Sequence, residues 1–255
     1  MAAAGNVDDV VRLLTAVTDQ ARAAAHRRGY FAAMYRQMSV AVQRGIESGY
    51  FNDGPRMSRF TAIFANRYLH ALDTFQGGAE PTRSWRASFS CCERRDRLIL
   101  QQVVLGINAH VNLDLGVAAA EVAPGDEIHH LRGDFERINT IIGGLLDAVQ
   151  EAIGAFSPLL DLLWRVTDRP GDEVLNFSFA VARDEAWRHA VVLAGLPPAE
   201  RPGVIDSFDR AAALLARLVI EPGGILGRTV SIVKHTEDED IRAVIDALAS
   251  VEPRP

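Results

Sequence analysis

The chain has 255 residues, 48% apolar and 24% charged, which is the composition of a globular protein with enough length to bury a sizeable core. A formal net charge of −6 and the lack of any Lys/Arg block interleaved with aromatics argue against nucleic acid as a partner. Polar residues interrupt every apolar run before the ~18 residues that a membrane span needs, and MAAAGNVDDVVRLL has no basic-then-apolar leader pattern.

Helical periodicity dominates from the start. VDDVVRLLTAVTDQARAAA puts Val10, Val11, Leu14, Val17 and Ala21 on one stripe, and Asp8 and Asp9 complement the helix dipole in the first turn. YFAAMYRQMSVAVQRGIESGYF reads as a second helix, closed by Gly49 and the turn-like NDGP at 52–55. A third helix is predicted over 57–75, carrying Phe60, Phe64, Tyr68, Leu69 and Leu72, and a shorter one over 84–92 follows Pro81. Here sit Cys91 and Cys92, neighbours that cannot staple distant segments, so a reducing cytoplasmic setting is expected.

Next comes an apolar segment over 97–120, ended by Pro124-Gly125. A strong helix over 134–156 aligns Phe135, Ile138, Ile142, Leu145 and Val149, with Asp134 as its expected N-cap and His129-His130 in the loop before it. Two more helices are predicted near 173–194 and 199–219, and a last one over 237–248. TVSIV at 229–233 is the one strand-like passage; five residues make no sheet, so an extended piece or a last helical turn is expected. With no repeat or linker, residues 1–255 read as one all-α, bundle-like domain. Its buried central helix lies near 98–120, and the helices starting near Asp134 and Glu173 pack on it.

That central helix carries GINAHVNLDLG, with Asn108, His110, Asn112 and Asp114 at alternate positions. At about 100° per residue the alternation splits into two seams. Asn108 and Asn112 share a side with Gln101, while His110 and Asp114, one turn apart, lie nearly opposite. Buried polar side chains cost on the order of 1–3 kcal/mol each without partners, so these four either bond neighbouring helices or line a pocket. A carboxylate one turn from an imidazole can orient it and raise its basicity.

LILQQVVLGINAHVNLDLGVA, then DFERINTIIGGLLDAVQ, then FAVARDEAWRHAVVLA resemble an uncharacterised bacterial family known only as domain of unknown function 5995, over roughly residues 30–194. Its pattern has a leucine-rich segment ending in NAHINLDLG, a DF…IN segment and an AR…AW segment. The resemblance implies a helical fold and no particular activity. Where the family pattern often has Gln-His, this chain has Gln101-Gln102; a histidine acting there as ligand or base in relatives has no replacement here.

The chemistry this supports best is proton transfer on a mostly apolar, partly anionic small molecule in an enclosed pocket: a cyclisation, isomerisation or hydrolysis. His110 is the expected base or acid and Asp114 its orienter. Arg183 meets an anionic group, Asp184 supplies a second carboxylate, and Trp187 walls the site. Asn108, Asn112 and Asn139 donate hydrogen bonds to the substrate; Asn139 stands where the apolar face of DFERINTII calls for an alkyl group. Two other readings stand beside this one. One is a divalent-metal hydrolase resembling the helical zinc phospholipases and nucleases, which use an HxxxD pair; the remaining ligands would come from His70, His129, His130, Asp134, Asp184 or His189. The other is a non-catalytic binding or scaffold protein whose polar seams are an internal network. No Walker loop, dinucleotide fingerprint or nucleophile elbow appears. A second copy of the chain is a candidate partner.

Overall fold

The computed structural model describes residues 3–160, 162–163, 171–238 and 240–252, except for the side chains of Asn139 and of residues 171–180. Among the described residues there is no strand, and the fold is all-α. Helix α1 (Val7–Ala23) starts where the Asn6 side chain accepts the Asp9 N–H, and it lies along α2 (Gly29–Glu47). Helix α3 (Gly54–Gln76) opens with Pro55 in its first turn, capped by Asp53, and α4 (Arg83–Cys92) follows.

The central helix is continuous over 24 residues, Ile99–Val122, and mostly buried. By length and composition it is the one described helix apolar enough to cross a membrane, as a core helix can also be. It comprises α5 (Ile99–Ala109), a π-helical turn (His110–Leu115) and α6 (Gly116–Val122). The long helices α7 (Glu127–Gly154) and α8 (Gly171–Gly195) come next. They are followed by α9 (Arg201–Ile220), α10 (Gly224–Lys234) and α11 (Ile241–Ala249). Of the two helices expected to pack on the centre, α8 runs along α6 and the π turn, whereas α7 packs less closely, at α6 and across an apolar cavity. The remaining cover comes from α2, α3, α4 and α9.

Two glycines let this cover come close. A Cβ on Gly106 would lie 2.4 Å from the ring of Phe31, and one on Gly116 would lie 2.7 Å from the Ala186 carbonyl oxygen of α8. Each therefore sits where a side chain would separate two helices, and together they bracket the π turn.

Three expectations about local structure change. Helix α7 starts at Glu127, so His129 and His130 are exposed in its first turn rather than in a loop. Asp134, mid-helix, does not cap α7; its carboxylate accepts the backbone N–H groups of Asn52 at 2.7 Å and Asp53 at 3.0 Å, ahead of α3. The last helix starts at Ile241 instead of 237, while TVSIV forms the closing turns of α10, one of the two outcomes expected for it. The segment's β-branched residues are overridden by packing: Val233 and Thr229 are buried against the body of the protein.

Helix starts are satisfied by carboxylates from far along the chain. Asp209 accepts Arg83 N–H (2.8 Å), Ser84 N–H (2.9 Å) and the Ser84 hydroxyl (2.7 Å) at the start of α4. Glu237 accepts Ile99 N–H (3.1 Å) at the start of α5 and the Ser157 hydroxyl at 2.6 Å, and burial pushes its pKa up. Asp209→Ala, which strands those donors in a buried setting, is expected to cost about 2 kcal/mol, measurable by urea unfolding as a lowered midpoint with unchanged slope.

Candidate functional site

The π turn separates two spaces of opposite character. On one side is an apolar cavity of about 50 Å³ walled by Met34, Met38, Ile138 and Leu146 among others, into which His110, Tyr35 and Arg183 also project. On the other is an open polar cleft of about 450 Å³ lined by Arg67, His70, Thr82, Trp85, Asp114 and Glu121. π turns interrupt α-helices most often at functional sites, because the inserted residue re-aims its neighbours.

His110 is 3% exposed and lies flat on Phe64, with ring centroids 3.6 Å apart and planes 9° apart. Tyr35 meets it edge-on at 4.3 Å and Phe31 at 5.7 Å. Neither ring nitrogen of His110 has a hydrogen-bond partner among the described groups, nor does the Tyr35 hydroxyl. Burial lowers the His110 pKa, outweighing the opposite pull of Asp114, so the ring is neutral at pH 7. A neutral imidazole offers one donor and one acceptor. Burial and the Asp114 charge both push the Tyr35 phenol well above its usual range, so it stays protonated.

Asp114 is not the orienter the sequence spacing promised. Its Oδ2 lies 3.9 Å from His110 Nδ1, beyond hydrogen-bond reach. The carboxylate, 1% exposed, instead accepts Arg67 Nε and Trp85 Nε1, each at 2.7 Å. It forms part of the cleft wall, so one turn of helix presents His110 to the cavity and Asp114 to the cleft.

Arg183 does reach the cavity that holds His110. Its Nη2 donates to the Phe135 carbonyl at 3.1 Å, its guanidinium lies 5.0 Å from the centre of the Phe135 ring, and burial pushes its pKa down to about 9. Asp184, on the next residue of α8, is exposed and lines neither space. Trp187 is buried against Phe135 (centroids 5.0 Å) and under the Arg132 guanidinium (5.0 Å), packing α8 on α7 and not walling the cavity.

The asparagine seam belongs to the framework. Asn112 Nδ2 donates to Asn108 Oδ1 at 2.9 Å, Asn108 Nδ2 donates to the Ala212 carbonyl at 2.9 Å, and Gln101 Nε2 donates to the Val219 carbonyl at 2.6 Å. These bonds tie the central helix to α9, and neither asparagine lines the cavity or the cleft. Asn139's side chain lies outside the described residues. Gln102 is 1% exposed and donates to the Arg97 carbonyl at 3.1 Å. Among the described residues no three His, Cys, Asp or Glu side chains group to hold a metal, and the proposed ligands His70, His129, His130, Asp134, Asp184 and His189 do not gather around His110 and Asp114.

The family profile described as "Family of unknown function (DUF5995)" matches residues 7–222. The chain belongs to this family. The match takes in every residue lining the cavity and the cleft of this DUF5995 chain. No curated protein and no solved structure matches it.

Four residues of the DUF5995 site escaped sequence reading: Tyr35, Phe64, Arg67 and Trp85. Phe64 and Arg67 are three apart on α3, and Phe60, Phe64 and Ala71 mark the stripe that faces the centre. An arginine bordering that stripe was the available signal for a buried acid across from it. Tyr35 and Trp85 read as ordinary core aromatics, which in packing terms they are.

Proposed function

We propose that the protein is an enzyme that binds a mostly apolar small molecule in the cavity and moves a proton on it with His110. The observation that carries this reading is the orphaned polar edge inside an apolar space. Two imidazole nitrogens and the Tyr35 hydroxyl lack partners among the described residues, at positions where an unsatisfied group costs on the order of 1–3 kcal/mol. A hydroxyl or carbonyl on the substrate removes that cost. Neutral His110 accepts or returns the proton, Tyr35 donates to the oxygen, and Arg183 stabilises negative charge that develops there. Asp114 takes no proton directly, since its Oδ2 lies 3.9 Å from His110 Nδ1 and the carboxylate borders the open cleft.

The cavity holds only the reacting end of such a molecule, since about 50 Å³ is well short of the 300 Å³ or more of an ordinary ligand pocket. The rest enters by displacing Met34 and Met38, whose unbranched side chains yield most readily. The reading is tested by incubating the protein and its His110→Phe variant with a small-molecule extract of the cells it comes from, followed by mass spectrometry. One component should be converted by the unaltered protein and spared by the variant; identical profiles from the two would refute it.

A further inference from the structure

Helix α9 is arranged inside out. Its buried positions are Asp209, Ala212 and Ala216, while Leu214, Leu215 and Leu218 face outward. A helix serving only to close a core turns its leucines inward. The exposed positions Ser207, Arg210, Ala211, Leu214, Arg217 and Leu218 follow one helical stripe, an apolar centre with arginines along it. Helix α10 repeats the pattern: Thr229 and Val233 are buried, and Ile225, Arg228 and Ile232 are exposed. Of the eight large apolar side chains on the described surface, five lie between 214 and 232, with Leu218 at 68% and Ile225 at 71% exposure.

Charge follows the same segment. Residues 210–234 contain four basic residues and the single acid Glu221, in a chain whose net charge is −6. Arg210 pairs with Asp206 and Lys234 with Glu237. Arg217 and Arg228 stand exposed among the leucines and isoleucines with no ion pair to a described residue.

We infer that the outward faces of α9 and α10 dock on an anionic lipid surface, with the five apolar side chains entering the headgroup boundary and Arg217 and Arg228 meeting lipid phosphates. In-plane helices bind membranes through this combination of apolar anchors and flanking cations. A second copy of the chain fits less well, because a two-fold interface on this patch buries Arg217 and Arg228 of both copies together, with no ion pair to a described residue to neutralise them. The inference is independent of the cavity and its chemistry.

The experiment is co-sedimentation of the full chain with phosphatidylcholine vesicles containing about one-third phosphatidylglycerol, and with phosphatidylcholine alone. The expected result is pelleting with the mixed vesicles and at least about tenfold weaker pelleting with neutral ones. A Leu218→Asp, Ile225→Asp double variant should lose it by a similar factor. Both positions are exposed, so the variant should keep the melting temperature of the parent, which confirms that folding is not the cause. Failure to pellet with the mixed vesicles overturns the inference. So does pelleting indifferent to the double variant, or a solution dimer that the double variant dissociates.

Discussion

His110→Phe is expected to make the protein more stable and chemically inert. The ring already sits in an aromatic box of Phe64, Tyr35 and Phe31, and a phenyl group fills it without two polar atoms left wanting partners. The adjoining cavity takes up the slightly larger ring. Removing an unsatisfied buried polar group is worth about 1 kcal/mol, a rise of roughly 2–4 °C in melting temperature for a chain of this size. Stability lost at a working site and regained on its removal is the usual exchange between the two. The gap should widen in acid. The folded-state pKa of His110 lies below its unfolded value of about 6.5, so its contribution is intact above that pH and is lost as pH falls toward the lowered value. Thermal melts between about pH 5 and pH 8 should therefore show a shallower acid loss in the variant. Some loss remains, because burial also lowers the pKa of His26 and of His189. A variant less stable than the parent would mean that the imidazole has partners after all.

Asp114→Ala should do the reverse, costing about 3 kcal/mol, or roughly 6–12 °C. The substitution leaves the indole N–H of Trp85, in a side chain 1% exposed, with no acceptor, and leaves Arg67 beside it without its counter-charge. The cost sits at the lower end for a broken buried ion pair because the Arg67 side chain is 25% exposed and can turn into the cleft. Asp114→Asn keeps an acceptor for one of the two donors and should cost about half as much. Trp85→Phe combined with Asp114→Ala should cost clearly less than the sum of the two changes, since both remove the same hydrogen bond. Additive losses in chemical unfolding would show that the indole does not depend on the carboxylate.

The helices were legible because periodicity is a local property. Phe60, Phe64 and Leu72 of α3, or Phe135, Ile142 and Val149 of α7, repeat with the helical turn and lie buried or partly buried as the stripe requires. The seam of Gln101, Asn108 and Asn112 was legible only as amides in need of partners: the two asparagines, expected to bond a substrate, bond each other and a carbonyl of α9. What periodicity does not encode is which carbonyl or cation a buried group meets across the fold. Asp114 looked like a partner for His110 because four residues separate them, yet Arg67 and Trp85 lie closer in space. Asp134 looked like a cap for the helix it precedes, yet it caps the approach to α3. Neither contact leaves a trace in local sequence. Asp184 lies outside the cavity because the next position on a helix points about 100° away from Arg183, whereas Trp187, one turn on and nearly in line with Arg183, is taken up by Phe135 and Arg132.

The remote carboxylates at the helix starts bear on how such a chain comes off the ribosome. Backbone N–H groups ahead of α3 wait for Asp134, those of α4 for Asp209 and that of α5 for Glu237, partners 81 to 138 residues later. Until those acids emerge, the backbone groups at these three starts have no carboxylate to meet. These three starts are therefore completed only once Glu237 has been made, and a nascent chain shorter than that is the form most in need of a chaperone.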